Sequence, residues 1–216
     1  MDWLLALMLA FGSAEGESIE TDCRTLETAQ PHTDCWLPLD GLGVEAVEAH
    51  FDFDETRPHH EDILIEIRAV DGSVTQTLRA VTMLPFYPEL ADIDGDDHPD
   101  LIIRVDGGSA NLDHAIFMGE FGGFQTRPLA VNAANIRFAG DGLTRIYSRE
   151  NAATGIVQLA VFDGQVLRDE AILQLTYDPR YFPSDDYDPD VSGPVCRLVE
   201  GGEDLSADYY CALARN

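Results

Sequence analysis

Ala91-Asp92-Ile93-Asp94-Gly95-Asp96-Asp97-His98-Pro99-Asp100-Leu101-Ile102-Ile103 is the stretch on which the reading of this chain turns. Acids stand at its first, third, fifth and ninth loop positions (Asp92, Asp94, Asp96, Asp100), and an apolar β-like run follows at once. Ca²⁺ takes roughly six to eight oxygen ligands, and alternate side chains of a tight loop direct that many at one centre. The seventh position, His98, offers its backbone carbonyl. Gly95 permits the sharp turn, and Asp97 stands where such loops often carry glycine, a position Asp tolerates less easily. Without a cation the five carboxylates repel one another at close range, so the loop is expected to order around metal. An acidic solvated turn would need no such alternation. An EF-hand is disfavoured, because its loop would end in Glu where this chain has Ile103, and a strand rather than a helix follows.

Outward from the loop, the chain reads as strands. Val44 to Glu55 and Ile63–Val70 alternate apolar with polar, and Asp71-Gly72 signals a hairpin into Ser73–Met83. After the loop come Leu101–Val105, His114–Glu120, Leu143–Arg149, Gly155–Phe162 and Val166–Tyr177, separated by Gly, Asp and Asn turns. The expectation is an all-β protein, a single antiparallel β-barrel or sandwich with one calcium loop and terminal disulfides. One copy of the Asp-x-Asp-Gly-Asp loop shows no fixed repeat of the kind a multi-bladed propeller needs.

The ends read differently. Residues 1–14, with the apolar run 3–11 and Gly12-Ser13-Ala14, look like a secretory signal, although Asp2 stands where a positive charge is usual. Residues 15–43 form an N-terminal segment, 44–177 the β domain with its calcium loop at 92–100, and 178–216 an acidic loop followed by a hairpin. The four cysteines, Cys23, Cys35, Cys196 and Cys211, fall as two near pairs. They allow three connectivities, of which local pairing would staple both terminal segments. No pair has zinc-site spacing, so two disulfides in an oxidising compartment, periplasmic or secreted, are expected.

The 216 residues carry 40 acids against 13 bases, all of them Arg, for a formal net charge of −27. Such a chain is repelled by nucleic acid and drawn to basic partners. Nucleophilic catalysis finds little support: Ser109, Asp113 and His114 lie close in sequence but lack a nucleophile elbow, and acids are too abundant for any carboxylate pair to single itself out as a glycoside-hydrolysing one. His59-His60 reads as an exposed hairpin loop, since adjacent side chains on a loop rarely converge on a metal. The sequence describes a binder, not an enzyme.

The ordered series of calcium loop, strand Leu101–Val105, Gly107-Gly108-Ser109-Ala110-Asn111 turn, Gly123-Phe124, Ile146-Tyr147-Ser148-Arg149 and Val161–Leu167 resembles exported bacterial proteins of a lysozyme-inhibitor-like kind. That family includes immunity proteins against peptidoglycan-cutting effectors delivered by type IV secretion. The resemblance covers about residues 85–177. It implies a small β protein with a structural calcium that blocks a basic peptidoglycan hydrolase, or lysozyme-like effector, with protruding loops. Carried over by position, the contact candidates are Gly108, Ser109, Asn111, Tyr147, Ser148 and Arg149. Asp97 and the acidic segment after Tyr177 depart from the family pattern. The calcium loop alone is shared with FG-GAP and VCBS repeats, so a calcium-dependent adhesion or carbohydrate-binding module is the rival reading.

Overall fold

A computed structural model describes residues 19, 21–26, 33–39, 43–53, 55–83, 86–163, 166–177, 194–202 and 205–215. The signal reading of 1–14 and the acidic stretch 178–193 lie outside these residues.

The alternation of the first half folds into a meander of β1 (Cys35–Pro38), β2 (Ala46–Phe53), β3 (His60–Arg68) and β4 (Val74–Met83), each antiparallel to the next. In β3 the period of two is plain: Ile63, Ile65 and Ile67 are buried, while Leu64 and Glu66 between them are only partly so. The Asp71-Gly72 hairpin forms as read. Gly72 adopts φ 79° and its N–H donates to the Ala69 carbonyl at 2.8 Å.

A second meander runs β5 (Glu89–Ala91), β6 (Asp100–Gly107), β7 (Leu112–Phe117) and β10 (Leu129–Ala133). Between β7 and β10 the chain makes a two-stranded ribbon, β8 (Gly119–Glu120) with β9 (Gly123–Phe124). The third sheet is β11 (Asn135–Gly140), β12 (Leu143–Arg149), β13 (Thr154–Asp163), β14 (Val166–Thr176) and β15 (Val195–Gly201), in that order.

The sheets stack. Leu101, Ile103 and Phe117 join Val47, Ile63, Ile65 and Ile67 of the first sheet in one core. The opposite face of the middle sheet sends Ile102, Ile116 and Val131 to Ile146 of the third sheet, with Ile93 of the acidic loop among them. Leu101–Ile103 is therefore buried on both faces, which is why it reads as an unbroken apolar run. Full burial of each such side chain stabilises the fold by about 1.5–3 kcal/mol. The antiparallel all-β expectation holds, with three main sheets packed through two shared cores.

The remaining face of the third sheet is covered by a helix, α1 (Ala207–Arg215), whose Tyr210, Cys211 and Ala214 pack on Val157, Leu159, Leu173 and Leu175. This corrects the hairpin expected there. Ser206 accepts the Tyr209 N–H on its hydroxyl at 3.3 Å and starts the helix, and the burial of Tyr210, Cys211 and Ala214 follows a helical face. The disulfides are Cys23–Cys35 and Cys196–Cys211, the second joining β15 to α1. They identify the chain as one suited to an oxidising compartment outside the cytoplasm.

Candidate functional site

The acidic loop connects β5 to β6. Asp92 accepts the N–H groups of Gly95 at 2.6 Å and Asp97 at 3.2 Å, so its side chain closes the turn on itself. Asp94 accepts the Asp96 N–H at 3.3 Å, and Asp96 accepts that of His98 at 2.8 Å. The turn requires left-handed backbone at Gly95 (φ 80°) and at Asp97 (φ 66°). At Gly95 a side chain is also excluded by space, since a Cβ there would run into the Phe138 ring of β11.

One carboxylate oxygen each from Asp92, Asp94 and Asp96 lies within 4.8 Å of the others. The cation-forming group facing them among the described residues is the His98 imidazole, 3.2 Å from Asp96. Burial holds the Asp94 carboxyl above its ordinary range, and the charges of Asp96 and Asp92 add to this. An all-oxygen, mutually repelling set of this kind fits a hard divalent cation better than a transition metal.

Asp100 stands apart from these three. It is 1% exposed and accepts the Ile93 N–H at 3.0 Å on one oxygen and the Gly119 N–H at 2.8 Å on the other. Burial pushes its carboxyl up to about 7 despite both bonds, with Asp94 and Asp96 contributing. Asp100 thus braces the loop against β8 from below. The Ile93 carbonyl accepts the Thr144 hydroxyl at 2.7 Å, which ties the same loop to β12 in the third sheet.

The contact candidates come from two separate segments that the fold brings side by side. The Asn111 side chain donates to the Arg149 carbonyl at 3.1 Å and accepts the Arg149 N–H at 2.7 Å, like an added strand residue. Gly108 closes its turn by donating to the Asn111 carbonyl at 2.9 Å, leaving Gly108 and Ser109 exposed at the tip. Ser148 donates to the Asn132 carbonyl at 3.1 Å. Tyr147 lies over Gly155, where any Cβ would strike its ring.

Beyond this geometry, comparison with known proteins adds one fold likeness. No protein-family model matches the chain, and no curated protein matches it. The chain is similar to a solved structure described as that of a Xanthomonas Type IV Secretion System related protein, with 11% identity and a TM-score of 0.45. The likeness covers 78% of this chain and 89% of that one.

Two groups escaped the sequence. On the outer face of the first sheet, Glu48, His50 and Glu66 converge across the β2–β3 register, where Glu48 faces Glu66. Arg68 bridges both acids, at 2.6 Å from Glu48 and 2.8 Å from Glu66, so a cation already serves this cluster. The period-two spacing of Glu48 and His50 was the available signal. The second group surrounds Tyr147. Arg145, 7% exposed, donates to the Ala214 carbonyl at 2.8 Å and so caps the end of α1. Burial lowers its pKa, Arg137 opposite it on β11 lowers it further, and Tyr177 and Tyr147 oppose the shift. Nothing local in the sequence announced a buried cation here.

Proposed function

We propose that the chain is an exported, calcium-stabilised binding protein that inhibits a peptidoglycan hydrolase, as a lysozyme-inhibitor-like or immunity protein, and carries out no catalysis of its own. The observation that supports this reading most is the Asn111 clamp on Arg149. It welds the 107–111 turn to the end of β12, the two segments singled out by resemblance alone, into one surface. A contact loop held by a strand-like double hydrogen bond loses little entropy on binding, which favours a tight inhibitor.

Calcium would be held by Asp92, Asp94 and Asp96 with the His98 carbonyl, while Asp100, the remaining candidate, spends both oxygens on backbone N–H groups and would brace the loop from behind. The ion would neutralise repulsion in the loop and fix the entry to β6. The formal charge of −27 steers the chain toward a basic enzyme, and such steering raises on-rate more than final affinity. Two disulfides equip the chain for the periplasm or the exterior.

The test is inhibition of a panel of basic lysozyme-type hydrolases by the mature chain at physiological salt. Stoichiometric inhibition that survives salt and is lost in Asn111→Ala supports the reading. Binding that vanishes as salt rises, or no inhibition of any enzyme, argues against it and in favour of a calcium-dependent adhesion module.

A further inference from the structure

A pocket of about 420 Å³ opens beside the end of β12, lined by Tyr147, Arg149, Asn151, Ala152 and Tyr177. Its chemistry runs against the rest of the molecule. In a chain with 40 acids and 13 bases, none of the five lining residues among those described is acidic. Arg149 is exposed and makes no ion pair among the described residues. Asn151 accepts the Ala153 N–H on its side-chain oxygen at 2.8 Å, which leaves its amide N–H groups as the free end. Burial raises the Tyr177 phenol above its ordinary range and the neighbouring Tyr147 phenol adds to this, so the Tyr177 hydroxyl keeps its proton to donate. The Arg145 guanidinium lies 5.2 Å from the centre of the Tyr147 ring. It hydrogen-bonds to Ala214 and Asn135 and, among the described residues, to no carboxylate.

Among the described lining residues each free polar group can donate, two cations stand at and behind the mouth, and two aromatic rings supply apolar wall. A fork of N–H donors backed by positive charge matches a carboxylate. The volume suits a small molecule, being at the lower end of ligand pockets. We propose that this pocket is a binding site for a small organic carboxylate, in which Arg149 and Asn151 take the carboxylate and the tyrosine rings take the ligand's carbon frame. The pocket shares Tyr147 and Arg149 with the proposed hydrolase contact, but the inference does not depend on that reading, because it is tested with no hydrolase present.

The experiment is a titration of the full mature chain with glucuronate, and in parallel with uncharged glucose, followed by tyrosine fluorescence and amide NMR shifts. Saturable one-to-one binding of glucuronate, shifts centred on Arg149, Asn151 and Tyr177, and no saturation by glucose are expected. Arg149→Gln keeps the backbone N–H that Asn111 holds, so the fold survives, and it should weaken glucuronate about tenfold or more. Asn151→Ala gives a second, independent loss at an exposed loop position. Glucose binding as tightly as glucuronate, unchanged affinity in both variants, or no saturable response would overturn the inference.

Discussion

Asp100 offers the sharpest test of how the acidic loop is built. Its two oxygens serve two backbone N–H groups, those of Ile93 and Gly119, in a site 1% exposed. Asp100→Ala orphans both donors, and each buried unsatisfied donor costs about 1–3 kcal/mol, for about 2–6 kcal/mol together. Against a total stability of about 5–15 kcal/mol for a domain, that loss is large. Asp100→Asn keeps one acceptor and turns its NH₂ toward the other donor, so it should cost about half as much. Urea unfolding in chelator measures this cost without contribution from metal, provided the slope m is unchanged. The pH dependence adds a second signature. The folded carboxyl titrates near about 7 against an ordinary 3.8, so between those values the folded state holds a proton that the unfolded state has lost. The stability from this group is full below 3.8 and is lost as pH rises through about 7. Asn cannot titrate, so this slope disappears in the Asn variant. An Ala variant costing under about 1 kcal/mol, or an Asn variant with the wild-type slope, would refute the bracing role.

Asp94→Ala should abolish any calcium-induced rise in Tm while leaving the chelated protein as stable as the parent or more so, because it relieves repulsion with Asp92 and Asp96; differential scanning calorimetry with and without calcium checks this. His114, 6% exposed between the second and third sheets, has its pKa held below 6.5 by burial. The stability it contributes is present above 6.5 and lost as pH falls through the folded value, so His114→Gln should flatten the acid limb of a denaturation profile. Cys196→Ser with Cys211→Ser opens a 15-residue link and should cost about 3 kcal/mol, with loss of α1 helicity seen by circular dichroism.

Local sequence determined a good deal here. Period-two alternation is enforced by one buried face, so β2, β3, β4, β13 and β14 were legible, and Asp71-Gly72 marked its hairpin. The spacing of Asp92, Asp94 and Asp96 placed three carboxylates together, because a turn of that length has few ways to fold back. β1, β5, β10 and β11 were missed as short pieces whose pattern is set by neighbours rather than by their own residues. The C-terminal helix hid within a stretch that a cysteine pair had made look like a hairpin.

Tertiary structure alone decided the rest. Asp100 reads as one more acid in the loop, and only the approach of β8 and the Ile93 backbone turns both its oxygens to holding the fold. Asn111 and Arg149 lie 38 residues apart, and the packing of β10, at the edge of the second sheet, beside β12 of the third makes them neighbours. Arg145 became a buried cation because α1 closes over the third sheet and presents a carbonyl to it. A chain pattern encodes which face of a strand is apolar. It does not encode which distant polar group will meet a side chain once the sheets stack, because that is settled by packing among all three sheets at once.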